Sequence, residues 1–185
     1  MRFPISILIA GLICIPAAPV CGQEARLTNI IVTNTRDDLL LYLAVEGCFT
    51  AEMKQAVLNG VPTTFLFHVS LSRVRNFWPD RTLVRLTAAH TVKYDNLKNT
   101  FTVARSWAPE SPVVTESFAE AQKTMAEVDS LVVAPLSSLE KGKPYEIRAK
   151  AELDKVTLPF YLHYVFFFLS LWDFETDWHT IEFHY

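Results

Sequence analysis

YEIRAKAELDK, Tyr145 to Lys155, is the stretch whose reading decides the fold. It separates into two alternating sets: Tyr145, Ile147, Ala149, Ala151 and Leu153 on one side, and Glu146, Arg148, Lys150, Glu152 and Asp154 on the other. Side chains along a strand point alternately to opposite faces, so this pattern describes a strand with one buried face and one meeting water. The preceding EKGKP supplies Gly142 and Pro144 as turn residues.

The same period runs outward from this strand. TTFLFHVSLSRVR (Thr63–Arg75) sets Phe65, Phe67, Val69 and Leu71 against Thr64, His68, Ser70 and Ser72. TLVRLTAAHTVKY (Thr82–Tyr94) places Val84, Leu86, Ala88, Val92 and Tyr94 on its apolar face. NFWPDR joins these two as a loop, and TFTVAR follows across the Asp95–Asn96 turn. LTNIIVT (Leu27–Thr33) and LLLYLAVE (Leu39–Glu46) flank NTRDD, an opening hairpin. Thr50 is placed to cap a helix over AEMKQAVLN, with Asn59–Gly60 as its stop. Ser117 and Glu120 have the spacing of a capping box before FAEAQKTMAEV, where Phe118, Ala121, Met125 and Val128 share one helical face. The expected order is β-β-α-β-β-β-α-β-β-(apolar run)-β. Two helices are too few to supply the crossovers of a parallel sheet. The fold class is therefore mainly β with two short helices, an antiparallel β-sandwich or curled sheet, with the immunoglobulin-like sandwich as one form.

The N-terminus reads as an export signal. Arg2 precedes the apolar run ISILIAGLICI (Ile5–Ile15), which is shorter than the roughly 20 residues a membrane helix needs. Residues 1–22 are expected to be cleaved before Gln23; a lipoprotein anchored through Cys21 is the rival, with Val20 a poor fit before that cysteine. Residues 23–185 then form a single β-rich domain, exported to the periplasm or envelope. Cys48 is its one thiol, which excludes an internal disulfide and suits a buried position. Losing Arg2 leaves 16 basic against 20 acidic residues, a net −4, which argues against nucleic acid as a partner.

Catalytic motifs are missing: there is no nucleophile elbow, zincin helix, Cys-x-x-Cys, Walker loop or dinucleotide fingerprint. No cofactor is expected and the protein is read as a non-enzyme. His68 and His90 occupy neighbouring strands, but matching the apolar faces points the two imidazoles opposite ways, so they are not a metal pair. His90 is expected at the core edge. WHTIEFHY closes the chain as a strand on which Glu182 and His184 share a face and could supply two of the four ligands a structural zinc wants; the reading is a solvated strand with no metal. Asp173, Glu175 and Asp177 read as solvated charge. A hydrolase built on the terminal histidines and carboxylates is the weakest reading.

Two patches are candidates for a surface. Arg73, Arg75, Arg81 and Arg85 surround Phe77 and Trp78 in the strand-to-strand loop, a hot-spot composition for a protein partner that also suits an anionic membrane interface. The bland alternative is a solvated tip whose aromatics fold back on the sheet. The second patch is LPFYLHYVFFFLSLWDFETDW (Leu158–Trp178), with nine aromatics in 21 residues, among them Tyr164, Phe166, Phe167, Phe168 and Trp172. It reads as a core strand or covered segment or as an exposed aromatic lip; a transmembrane helix is disfavoured by Pro159, His163 and Ser170.

FTAEMKQAVLNGVPTTFLFHVSL, the FAEAQKTM helix and YEIRAKAELDKVTLP leading to DFETDW together resemble the bacterial family called domain of unknown function 4390. The resemblance runs from about Ala25 to the end, and rests on Gly60-Val61-Pro62, Leu153-Asp154, Leu158-Pro159 and Asp177-Trp178. It implies an exported envelope protein with no catalytic residues, in an accessory role beside a sensor histidine kinase of the nitrogen-regulation type. YVFFFLSLW departs from it, where a shorter and more polar stretch is expected. The function expected is a non-enzymatic interaction module with a protein partner in the envelope. The alternative is a lipid or hydrophobic-ligand binder using residues 160–172 and touching a membrane surface.

Overall fold

A computed structural model describes residues 25–154 and 174–185. Nine strands form two antiparallel sheets. The smaller has the order β1-β2-β7, from β1 (Arg26–Asn34), β2 (Asp38–Glu46) and β7 (Glu127–Pro135). The larger has the order β6-β5-β4-β3-β8-β9, from β3 (Thr63–Arg73), β4 (Arg81–Asp95), β5 (Thr100–Arg105), β6 (Val113–Thr115), β8 (Pro144–Leu153) and β9 (His179–His184). Helices α1 (Ala51–Leu58) and α2 (Phe118–Ala126) complete the chain order, α2 lying against strands of both sheets.

Strand β3 is the axis of the molecule. It pairs with β4 over its whole length and with β8 from Phe65–Leu153 to Arg73–Tyr145. Its Phe65, Phe67, Val69 and Leu71, and the Tyr145, Ile147, Ala149, Ala151 and Leu153 face of β8, are all buried. They meet Leu39, Leu41, Leu43 and Val45 of β2 and Val128, Leu131 and Val133 of β7 in one core between the sheets. The charged face of β8 departs from the expectation of open water: Glu146, Lys150 and Glu152 are only half-exposed.

Both helix starts are capped as expected, one by a longer route. Thr50 Oγ1 accepts the Met53 N–H at 3.2 Å. Ser117 Oγ accepts the Glu120 N–H, but the Glu120 carboxylate does not reach back to the Ser117 N–H. Thr115 stands between them: its hydroxyl accepts the Ser117 N–H at 3.0 Å and donates to the Glu120 carboxylate. Thr115 belongs to β6, a three-residue strand too short for a periodic pattern to announce. Helix α2 ends at Ala126, so Val128 enters the core from β7 and not from the helix.

Two of the three register shifts in the small sheet face the same part of β2. Register slips between Thr28 and Ile31 on β1 and opposite Leu41–Leu43 on β7. Asn29 (φ 51°) and Ser130 (φ 57°) sit in the left-handed region at these points, and Ser130 Oγ donates to the Tyr42 hydroxyl at 3.1 Å. Bulges of this kind increase the local twist and blunt an edge strand against pairing with another chain.

The two flanks of residues 155–173 are tied together. Leu153 N–H donates to the Phe174 carbonyl at 3.0 Å, Thr176 N–H to the Ala151 carbonyl at 2.9 Å, and Ala151 N–H to Thr176 Oγ1 at 3.0 Å. Phe174 is buried with its ring edge-on to Phe65, centroids 4.8 Å apart. Among the described residues no helix is long and apolar enough to cross a membrane.

Candidate functional site

Strand β3 ends at Arg73, still paired with Tyr145 of β8, and closes onto β4 at Arg81 through Val74–Asp80. Val74 N–H donates to the Pro144 carbonyl at 3.1 Å, anchoring the base of the loop to β8. Across the loop, the Arg75 N–H donates to Asp80 Oδ1 at 3.0 Å. At the tip Phe77 is 102% exposed and Trp78 74% exposed. The alternative in which these aromatics fold back on the sheet is thereby corrected. Phe77 also has φ 68°, in the left-handed region where Cβ crowds the backbone. That conformation costs an L-residue roughly 1–2 kcal/mol and is the province of Gly and Asn. A bulky aromatic there gains no packing in return, and such strain concentrates at functional surfaces.

Charge surrounds the tip. Arg73 lies opposite Arg81 in the register and pairs with the Glu140 carboxylate. Arg75 and Arg81 are exposed and make no ion pair among the described residues. Arg73, Val74, Arg75, Asn76, Trp78, Lys143 and Pro144 line an open cleft of about 500 Å³ at the foot of the loop. The arrangement presents guanidinium and ammonium groups beside two aromatic faces, a surface suited to contact.

One of the sequence expectations is redistributed. Arg85 does not belong to this tip: it stands farther along β4, opposite Ser70, on the outer face of the large sheet. Lys143 joins the cleft through the β8 turn, a neighbour that no local pattern announces. The aromatic run attaches elsewhere. Its flanks adjoin Leu153 and the loop adjoins Tyr145, eight residues or about 26 Å away along β8 at strand rise. The loop and the flanks of the run thus lie at opposite ends of β8. Tyr164, Phe166, Phe167, Phe168 and Trp172, and the signal segment 1–22 with Cys21, lie outside the described residues.

The histidines fall as the register argument requires. His90 is fully buried; its Nδ1 donates to the Met125 carbonyl at 3.0 Å, and its ring lies 5.0 Å from Phe67 and 4.6 Å from Trp107. Burial pushes its pKa down to about 4, and Arg105, its partner across β5, pushes the same way. His68 faces outward, with Nδ1 at 3.0 Å from Thr87 Oγ1 and Nε2 at 3.1 Å from Glu152. Among the described residues no three His, Cys, Asp or Glu side chains gather as a metal set.

Cys48 is buried, and burial pushes its thiol pKa up to about 12. The thiolate is the reactive species. Native protein is therefore expected to resist a thiol reagent at neutral pH and to label fully in denaturant; rapid native labelling would place Cys48 at the surface.

No curated protein and no solved structure matches this chain. Of the motifs that carried the resemblance, Gly60 makes the turn (φ 82°) before β3, Leu153 ends β8 and Trp178 lies over Arg148, while Leu158-Pro159 falls outside the described residues. The profile described as Domain of unknown function (DUF4390) matches residues 22–182, and the chain belongs to that family.

Proposed function

We propose that this domain is a non-enzymatic accessory module of the cell envelope, exported after removal of residues 1–22, that docks on a protein partner through the β3–β4 hairpin tip. One observation carries the reading: Phe77 is held fully exposed in a left-handed backbone conformation beside Trp78 and unpaired arginines. Aromatic and arginine side chains dominate binding energy at protein interfaces. The sensor histidine kinase implied by the family resemblance is the first partner to assay.

A photo-crosslinking residue at position 77 is expected to give one discrete protein adduct in cells. The same residue at Leu97, 96% exposed on the β4–β5 turn, serves as the control and is expected to give none. Equal adducts from both positions would dismiss the tip as a docking element. The composition of the tip also suits an anionic membrane interface, and flotation with anionic vesicles that Phe77→Ser removes would replace the protein partner with a membrane surface. A separate result is expected from Phe77→Asn. Asn tolerates the left-handed conformation, so this variant gains about 1 kcal/mol, roughly 2–4 °C in Tm, while losing the partner. An unchanged or lowered Tm would mean that the tip is not strained.

A further inference from the structure

The outer face of the large sheet holds a second group of side chains, independent of the hairpin tip. The register sets Arg85 of β4, Ser70 of β3, Arg148 of β8 and Thr180 of β9 in one row across the strands. The adjoining row holds Thr87, His68 and Lys150. With strands about 4.8 Å apart, the Arg85 and Arg148 backbones are roughly 10 Å apart, and the two arginines flank Ser70 on one face, within side-chain reach of one ligand.

Trp178 arrives from the segment after Phe174 and lies across this face. Its ring centroid is 5.2 Å from the Arg148 guanidinium and 5.9 Å from the Lys150 ammonium, and Trp178 is 47% exposed. The indole thus orients Arg148 and keeps part of its own surface open. His68, Ser70, Arg85, Thr87, Arg148 and Trp178 are among the walls of a concavity of about 480 Å³.

The carboxylates of this face are distributed unevenly. Glu152 and Glu175 both bind Lys150, and Glu152 also bonds His68. Burial would raise the Glu152 pKa, but the hydrogen bonds from His68 and Lys150 outweigh it and hold the group below its usual value. Glu146 and Glu182 pair in register one row farther along β8, Glu146 at 3.9 Å from Arg148. Arg85 makes no ion pair among the described residues. The row through Ser70 therefore sets two guanidinium forks and a hydroxyl together, Arg85 without an ion pair among the described residues and Arg148 with only the 3.9 Å contact to Glu146. A carboxylate's two oxygens are satisfied by one fork, whereas a phosphate monoester presents three terminal oxygens that engage both forks and the serine.

We propose that the Arg85–Ser70–Arg148 row binds a phosphate monoester whose ring-bearing portion lies against Trp178. In a low-salt titration of the purified protein with phenyl phosphate, saturable shifts are expected at the Arg85 and Arg148 Nε–H and the Trp178 indole N–H resonances. Arg85→Gln, at an exposed position without an ion pair, is expected to keep the wild-type Tm and to weaken binding about tenfold or more, the loss of a charge-assisted contact. Trp178→Leu is expected to erase the preference for phenyl phosphate over inorganic phosphate. Phosphatidic-acid vesicles run in parallel separate a soluble ester from a lipid headgroup; binding of either kind that Arg85→Gln weakens supports the site. No saturation by either ligand, equal binding of benzoate and phenyl phosphate, or unaltered binding by Arg85→Gln would overturn it.

Discussion

Phe65→Ala is expected to cost 3–5 kcal/mol, the range for truncating a fully buried aromatic. Phe65 has no exposed surface and sits on the strand that both halves of the large sheet share. Its ring touches Phe49, centroids 5.0 Å apart, on the way into α1, and Phe174, 4.8 Å apart, at the return into β9. One truncation thus opens a cavity at the meeting point of three chain segments, too distant in sequence to collapse together. Whole-domain stabilities are about 5–15 kcal/mol, so the loss consumes a large share. Urea unfolding should show a midpoint falling steeply with an unchanged slope. Phe65→Leu keeps most of the volume and should lose well under half as much. A loss below about 1 kcal/mol for the alanine variant would mean that the Phe65 ring is not packed between the two sheets.

The second large effect is a pH dependence. His90 Nδ1 donates to the Met125 carbonyl, which leaves Nε2 as the site that protonation would occupy, and Nε2 has no hydrogen-bond partner among the described residues. The cation would sit between Phe67 and Trp107 with Arg105 across the strand. The folded pKa of about 4 lies below the ordinary 6.5, so between these values the unfolded chain binds more protons. Stability from this group is fully present above about pH 6.5 and is lost as pH falls toward 4, by about 3 kcal/mol in all. His90→Leu removes that slope but strands the Met125 carbonyl, at a cost of roughly 1–3 kcal/mol. Wild type should therefore be the more stable at pH 7 and lose its advantage near pH 4.5. Measuring both proteins by urea unfolding cancels the contribution of the carboxylates, Glu152 included. A pH-independent difference would place the imidazole in contact with solvent.

The order and facing of the long strands were legible because each has one buried face. Phe65 to Leu71 and Tyr145 to Leu153 alternate without error, and the same parity argument separated His68 from His90 before any coordinates. Features that depend on distant partners were not legible. The bulges at Asn29 and Ser130 are defined by what β2 does opposite them, and β6 exists only because β5 offers it three residues of pairing. Grouping Arg85 with the hairpin tip followed proximity in sequence, whereas its neighbours are set by register. Trp178 reaches Arg148 and Lys150 through the docking of Thr176 on Ala151, for which the sequence holds no periodic signal. Composition singles out Phe77 and Trp78; their exposure and the left-handed backbone are set by the turn that closes β3 onto β4.

The paired flanks at Leu153 and Phe174 have a meaning for how such a chain can change over generations. The sheet closes across that point through its own hydrogen bonds, so the sequence between is an insertion port: its length can vary without disturbing the register of β8 and β9. Closure entropy grows only with the logarithm of length, about 0.6 kcal/mol for each doubling. A lineage can therefore exchange a short polar connection for a long aromatic one almost freely, and acquire a new contact while the older scaffold folds as before.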